Sequence, residues 1–501
     1  MLNFSKNYRN YYHFNSFRGI FFLLLHSLNE KYDQMQKYYY LIIISIVPIF
    51  GFTQGVEAYS LEQALAYARI HNYDYINAQT DIEIAKEQLW EYTAMGLPQI
   101  DAAISNENYI DIPVTLMPDF ISPSVYAVNQ NGFGLTPVSP LPDETQYFPV
   151  QFGTKHNASA AVNVNQLLFS GEYIVALQSS KALLGKVEKQ KVQMEVLLTE
   201  QVSKSYFLVL SLSDNIRILD SSLKINTDML EETRVIFQTG FVEDIEVDQL
   251  EVIVSNLEAS IRNLENERTT AMAFLKFYMG LQPQTEIRLS DDIDKVLAQL
   301  NVDFLLKSEF DINENIDFLL FMQQKELAKL RLKHDQSKNL PTLSAFFNLK
   351  TNAMRDTYSF FNSELPWYPS TVWGFQMKIP IFSSGQRHAV IKQSKLNLKK
   401  IEESQKQLNI SLQLQLQTAR NNFSNKYYEY LNRKKNLELT IRIFQKTQVK
   451  YKGGLSSSFD LLQAQNSFVQ ANTDYTLSIM GLLQNKIELE KILTKTAHYF
   501  E

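Results

Sequence analysis

The chain has 501 residues, 45% of them hydrophobic, which is enough for two or three ordinary domains with a sizeable core. Its net charge of −6 is spread without blocks and argues against a nucleic-acid partner, which would leave a basic footprint. There is no cysteine, which excludes disulfides, thiol chemistry and a lipid-modified N-terminal cysteine; the absence reads either as chance or as export.

Met35, Lys37 and the run 38–50 give a positive start and an apolar core of about 13 residues, the length of a signal-peptide core and too short to span a bilayer comfortably. Cleavage is expected after Thr53 or Ala58. A second apolar patch at 20–25 sits in an odd place for an export signal. Residues 1–58 therefore read as a misplaced N-terminal extension plus signal peptide, with Met35 as the start; a membrane-anchored N-terminus is the rival. Past Ala58 no stretch approaches ~20 uninterrupted apolar residues, so a membrane could be spanned there only by strands.

Residues 60–95 have a helical pattern, with Ser60 as N-cap, Leu61, Leu65 and Ala68 on one face, and Gly96-Leu97-Pro98 as the stop. Ile100, Ala102 and Ile104 then alternate with Asp101, Ala103 and Ser105, as in a half-buried strand. Residues 111–154 hold seven of the fourteen prolines, with Gly132 and Gly134, and read as a long irregular loop, placed outside the cell. Strand alternation returns at 157–165 and ends at Phe169-Ser170-Gly171. From 172 to 235 a helix of about 95 Å is expected, with Leu208, Leu212, Ile216, Leu219 and Leu223 as its stripe. After Gly240, Leu250, Ile253, Leu257, Ile261 and Leu264 continue a return helix to Met279-Gly280.

The same order follows again. A helix is expected over 303–339, stopped by Leu340-Pro341, and a strand with Leu343, Ala345, Phe347 and Leu349 on one side. A shorter loop carries Pro366, Trp367 and Pro369. The next strand places Trp373, Phe375, Met377, Ile379 and Ile381 on one side, and Gly385 opens a helix to about Lys450. Gly453-Gly454 form a second tip, and Phe459 starts the return. Leu408, Ile410, Leu412, Leu414 and Leu416 alternate at period two, which favours a strand. Their counterpart at 194–202 lacks that regularity and the flanks are rich in Gln, Lys and Glu, so helix is the reading.

The two tips, Phe237 to Glu251 and Tyr451 to Gln465, lie 214 residues apart, and the same offset pairs Ser170-Gly171 with Ser384-Gly385. An internal duplication follows, with repeats at 59–300 and 301–501 and tips at 236–245 and 450–459. Four strands with one apolar side suit a barrel with lipid outside and water inside. Four cannot close alone, so the barrel must be shared among subunits; a soluble two-layer structure is the competing reading.

In motif order the chain resembles the TolC-type outer membrane efflux proteins. The carrying residues are Leu61-Glu62-Gln63-Ala64-Leu65, Gly96-Leu97-Pro98, Asn339-Leu340-Pro341, Phe169-Ser170-Gly171, and Tyr451 to Gly454 followed by Phe459 to Gln465. The resemblance covers about 59–495. It implies an α+β membrane protein built from a duplicated unit of long α-helical hairpin plus two β-strands. Three copies would form a 12-stranded outer-membrane β-barrel continued by a periplasmic α-helical tunnel. It further implies a homotrimer, a periplasmic adaptor (membrane fusion protein), an inner-membrane transporter that supplies the energy, and outer-membrane lipid around the barrel, with no cofactor.

By the same resemblance Gly240, Phe241, Val242, Gly454, Leu455 and Ser456 are adaptor-docking tip residues. Glu246 and Asp460 belong to the periplasmic pore entrance, and Trp373, Phe375, Met377 and Ile379 to the lipid-facing strand. The family's acidic pair is reduced here to Asp460, with Gln463 at the second position, and Ser456 stands where a basic residue is common. Plain alternatives accompany these roles: glycine supplies the positive φ of a helix–turn–helix, and carboxylates favour helix N-termini. The seven histidines show no metal-ligand spacing, and no P-loop, nucleophile elbow or HExxH occurs, so neither an enzyme nor a metal site is expected. The function expected is the passive exit duct of a tripartite efflux pump. The alternatives are the duct of a type I protein secretion system and a non-pore periplasmic coiled-coil structural protein.

Overall fold

The computed structural model describes residues 57–135 and 146–494. The N-terminal extension, Met35, the signal-peptide core and Thr53 lie outside the described residues. Among the described residues no helix is long and apolar enough to cross a membrane.

Strand β1 (Glu57–Tyr59) pairs with β6 (Ile287–Leu289). The first expected helix is in fact two, α1 (Leu61–His71) and α2 (Tyr73–Ala94). Asn72 divides them because its buried side chain replaces helical bonds: Oδ1 accepts from Tyr75 N–H at 3.0 Å and Nδ2 donates to the Tyr278 carbonyl at 2.9 Å. Gly280 closes against this break, with φ 77° and a hypothetical Cβ only 2.1 Å from the His71 carbonyl oxygen. Only glycine fits there.

The 111–154 segment is less irregular than its prolines suggest. It contains β3 (Val114–Pro118), α3 (Ile121–Phe133) and β4 (Tyr147–Gln151), with β3 and β4 paired antiparallel. Asp119 Oδ1 starts α3 by accepting from Ile121 and Ser122 N–H at 3.1 and 2.8 Å. The expected helix over 303–339 is also broken, into α6 (Ile293–Ala298) upstream, α7 (Val302–Lys307), a 3-10 turn (Ile312–Glu314) and α8 (Ile316–Ser337). Asn301, Asp311 and Asn315 each accept a backbone N–H two or three residues on, and each such cap starts a new turn.

The four barrel-type strands form one antiparallel sheet in the order β2 (Gln99–Asn108), β5 (His156–Ser170), β7 (Thr342–Arg355), β8 (Tyr368–Lys378). Register places Ile100, Val164, Phe347 and Trp373 in one row, and Asp101, Asn163, Asn348 and Val372 in the next. Cross-strand partners share a face, so four separate alternations become one apolar and one polar face. On the polar face Asn163 Nδ2 donates to Asp101 Oδ2 at 2.7 Å, and Asn348 Nδ2 donates to Asn163 Oδ1. β2 and β8 are edges, and the sheet stays open.

Two hairpins of nearly equal dimensions leave this sheet: α4 (Gly171–Gln238) with α5 (Asp244–Met279), and α9 (Gln386–Lys452) with α10 (Ser458–Leu493). The 68 residues of α4 span about 100 Å. The stripe Leu212, Ile216, Leu219 with Leu250, Ile253, Leu257 and Ile261 is buried as expected. In the second hairpin the buried residues keep a seven-residue repeat, Leu416, Phe423, Tyr430, Leu437, Phe444 against Leu461, Phe468, Tyr475, Leu482, Leu489. The Phe444 and Phe468 rings stack at 5.5 Å.

The period-two run lies within α9 and is helical. Leu412 and Leu416 are buried, whereas Leu414 is 65% and Ile410 68% exposed. Residues two apart lie about 200° apart on a helix, so this run makes two opposite apolar faces, one spent on the chain's own core. The offset pair Ser170-Gly171 and Ser384-Gly385 differs in detail. β5 runs directly into α4, while β8 ends at Lys378 and Ser384 (φ 48°) and Gly385 (φ 81°) turn the chain before α9.

Candidate channel entrance and membrane face

Both hairpins turn by one geometry. Gly240 (φ 79°) and Gly454 (φ 67°) are left-handed. Gly240 N–H donates to Phe237 O at 2.8 Å and Phe241 N–H to Ile236 O at 3.4 Å; Gly454 N–H donates to Tyr451 O at 3.0 Å and Leu455 N–H to Lys450 O at 2.8 Å. This is the Schellman C-cap, in which glycine avoids the Cβ penalty and the last carbonyls find donors. The 214-residue offset holds for every residue in the motif, so the sequence repeat is a repeat of turn geometry. The tips expose apolar side chains: Phe241 is 82% and Leu455 81% exposed, with Ile245 and Phe459 also uncovered. Val242 and Ser456 are half-buried beside them.

Past the turns the copies diverge. Ser457 caps α10 in a reciprocal box: Asp460 N–H donates to Ser457 Oγ at 3.2 Å, and Asp460 Oδ2 accepts from Ser457 N–H at 3.1 Å. The hydroxyls of Ser457 and Ser456 add bonds to Oδ2 at 2.9 and 3.0 Å. The Ser457 backbone bond, then these hydroxyls, hold the Asp460 carboxyl below its usual range. Glu243 at the start of α5 makes no side-chain capping bond.

Glu246 reaches across to the other hairpin. Its Oε2 accepts from Tyr451 Oη at 3.1 Å, Thr233 Oγ1 lies 3.3 Å from the same hydroxyl, and Lys452 Nζ pairs with Glu232 at 3.3 Å. Burial first, and the Glu246 charge with it, push the Tyr451 hydroxyl up, although the Thr233 bond works the other way. Both carboxylates expected at the entrance are thus engaged within one chain, Glu246 between the hairpins and Asp460 within its own turn.

Sequence reading missed the polar seam above the tips. Between α4 and α10, Asn472 Nδ2 donates to Asn215 Oδ1 at 2.5 Å, and one heptad lower Gln465 Nε2 donates to Ser222 Oγ at 3.2 Å while Asn226 Nδ2 donates to Gln465 Oε1 at 3.3 Å. All five side chains are buried. The available signal was amide and hydroxyl residues seven apart inside an apolar stripe. It also missed Asp335, a buried carboxylate of α8 that accepts from Ser394 Oγ of α9 at 2.6 Å and from Lys338 Nζ at 2.9 Å, with Arg331 Nε at 3.2 Å.

On β8, Trp373, Phe375 and Met377 stand exposed on the apolar face, and the first two rings meet edge-on at 6.1 Å. Ile379 is exposed but lies outside the strand, which ends at Lys378 before Pro380; a proline there offers no ladder N–H. Among the described residues no group of three or more His, Cys, Asp or Glu could hold a metal ion.

An open sheet with one apolar face, joined to paired hairpins whose longer helices span about 100 Å, is the architecture of one barrel-and-tunnel subunit. Residues 322–494 match the model of the outer membrane efflux protein family, and most of the chain shares the TolC-type fold. The chain is similar to the Campylobacter jejuni CmeC outer membrane channel at 16% identity and TM-score 0.62, over 89% of this chain and 90% of that one. It is similar to the open-state Neisseria gonorrhoeae MtrE outer membrane channel at 14% identity and TM-score 0.64, over 86% and 88%. It is likewise similar to the outer membrane protein VceC of Vibrio cholerae at 13% identity and TM-score 0.61, over 86% and 95%. No curated protein matches the chain by sequence. The chain therefore combines a C-terminal segment that matches the outer membrane efflux protein model with a fold shared, over most of its length, with these outer-membrane channels.

Proposed function

We propose that three copies of this chain form the exit duct of a tripartite efflux pump. The observation that carries the reading is the open four-stranded sheet. It has one apolar face, and both edges are unpaired. An open edge in lipid leaves backbone groups unsatisfied at several kcal/mol each, so the edges must pair with other copies. Three copies give about twelve strands, within the range of outer-membrane barrels, and strands of 10 to 15 residues reach across the hydrocarbon. Trp373, Phe375 and Met377 then face outer-membrane lipid. The second apolar face of α9, with Ile410 and Leu414, supports the same assembly, because it is uncovered among the described residues.

In this duct the hairpins form the periplasmic tunnel and the tips its entrance. Tyr451 and Glu246 hold the two hairpins of each copy together there, and threefold repetition sets Asp460 in a ring able to attract cations. Gly240 and Gly454 shape the turns so that Phe241, Val242, Leu455 and Ser456 meet the periplasmic adaptor. As the resemblance to the efflux proteins implies, an inner-membrane transporter drives the cargo. The test is purification in detergent, mass by light scattering, and conductance in planar bilayers. A trimer that conducts, and that loses adaptor binding in F241D/L455D, is the expected result. A monomer soluble without detergent would remove the reading.

A further inference from the structure

The duct gives no role to the insertion between β2 and β5. Val114 and Leu116 on β3 and Ile121, Val125 and Val128 on α3 are exposed, and α3 has no buried residue. The position of the insertion is fixed: Tyr109 N–H donates to Lys155 O at 2.8 Å, directly beyond the last β2–β5 pair, Asn108 with His156. The β3–β4 hairpin therefore stands at the end of the sheet remote from the long helices. Among the described residues β3 pairs only with β4, and it follows β2 in the chain, as β4 precedes β5.

A second feature shares that end. The loop 356–367 between β7 and β8 is held rigid by Arg355 Nη2, which donates to Pro366 O at 2.6 Å. It is also held by buried Phe360, packed against Tyr358 and Trp367 at 5.2 and 6.4 Å. The His156 ring meets Tyr358 edge-on, which ties the loop to the end of β5. Out of this packed loop Phe361 projects 91% exposed. A large aromatic on a preorganised loop loses little entropy on docking and is typical of interface anchors.

We propose that at the outer mouth of the duct the apolar surface of β3 and α3 in one copy is covered by the 356–367 loop of a second copy, with Phe361 as the anchor. The inference rests on the trimeric reading above. The sheet order β2-β5-β7-β8 sets a chain's own loop on the far side of the sheet from its β3. Closure brings the free edge of β2 against β8 of the next copy, and that β8 begins at Tyr368, directly after its loop. The two uncovered surfaces then meet at each seam. Lipid is the competing cover. The ten residues of β2 already reach across the hydrocarbon, which leaves the insertion beyond it. Residues 109–154 carry four carboxylates and no lysine or arginine, a poor match for phosphate-bearing headgroups.

The chain has no cysteine, so L116C/F361C can be oxidised in intact cells without background. Covalent dimers and trimers on a non-reducing gel, absent from either single variant, are expected. F361A should raise maleimide labelling of L116C at least fivefold, a readout that survives if the double variant folds poorly. Light scattering on the same samples reads assembly independently. A trimeric mass without inter-copy crosslinks, and with L116C open to aqueous maleimide, overturns the inference and leaves the duct standing. Quenching of a fluorophore at L116C by brominated lipid, again without crosslinks, assigns the surface to lipid and overturns it as well. A monomeric mass overturns both readings.

Discussion

Tyr451 Oη donates to Glu246 Oε2 at 3.1 Å, and this one bond joins the end of the second hairpin's descending helix to the start of the first hairpin's return helix. The pair spans the two sequence repeats at their tips. A hydrogen bond to a charged group contributes about 1.5–3 kcal/mol when well shielded, and here both partners are half-buried, so about 1 kcal/mol is expected. Y451F and E246A should each widen the entrance and raise single-channel conductance severalfold in planar bilayers. The double variant should add little to either single one, because the two remove the same bond. Additive effects would refute the pairing.

Asp460 separates two roles that the sequence left open. Its carboxylate closes the capping box of α10, so D460A should speed amide hydrogen exchange over 457–461, at Ser457 first. D460S can still accept a bond from the Ser457 backbone and should preserve exchange protection better. If Asp460 also rings the pore, both variants should lose cation block of conductance; block that persists in D460S and D460A alike leaves Asp460 as a helix cap alone.

The Asp335 cluster predicts acid sensitivity. Burial by itself would raise this carboxyl, but hydrogen bonds from Ser394 and Lys338 and the Arg331 and Lys338 charges outweigh it and hold it down to about 2, below the usual 3.8. A depressed folded-state value means the stabilisation is complete above the unfolded value and is lost as pH falls through the folded one. The contribution, about 2 kcal/mol, should therefore be constant above pH ~4 and vanish towards pH ~2. D335N should lower the melting temperature in detergent at pH 7 and remove this part of the acid dependence.

The buried Asn215–Asn472 bond should behave as a coupled pair. Asn472→Leu alone leaves Asn215 without its donor inside the helix seam and should destabilise by about 1–3 kcal/mol. The double variant N215L/N472L should recover most of that loss, since two apolar partners need no bond. Chemical denaturation in detergent of the four members of the cycle gives the coupling energy; a value near zero would mean the bond does not matter.

Gly280 tests the joint between α5 and the α1–α2 break. An alanine Cβ would meet the His71 carbonyl and would sit at a φ that side chains avoid. G280A should reduce assembled channel in the membrane several-fold, whereas Gly185, with open space around it, should accept alanine silently.

The repeats, the hairpins and the strands were legible because each rests on a local rule: period two for β2, β5, β7 and β8, seven- and 3.6-residue spacing for the long helices, and glycine at the turns. Boundaries at Asn72 and Asn315 were not, because an asparagine that caps a helix and one that faces solvent look alike until its donor is placed. Tyr451 was visible as part of a motif, but its partner lay 205 residues away, and only the packing of the second hairpin's α10 against α4 and α5 brought Glu246 to its hydroxyl. The period-two run at Leu408 to Leu416 was ambiguous for the same reason. Its alternation fits a strand with one apolar face or a helix with two; its counterpart and flanks favoured helix, and the burial of Leu412 against the exposure of Leu414 bears that out. Sequence by itself determined the duplicated barrel-and-hairpin plan, since that plan is written in local periodicity. Tertiary structure decided which polar groups meet, because a hydrogen bond depends on distance in space and not along the chain.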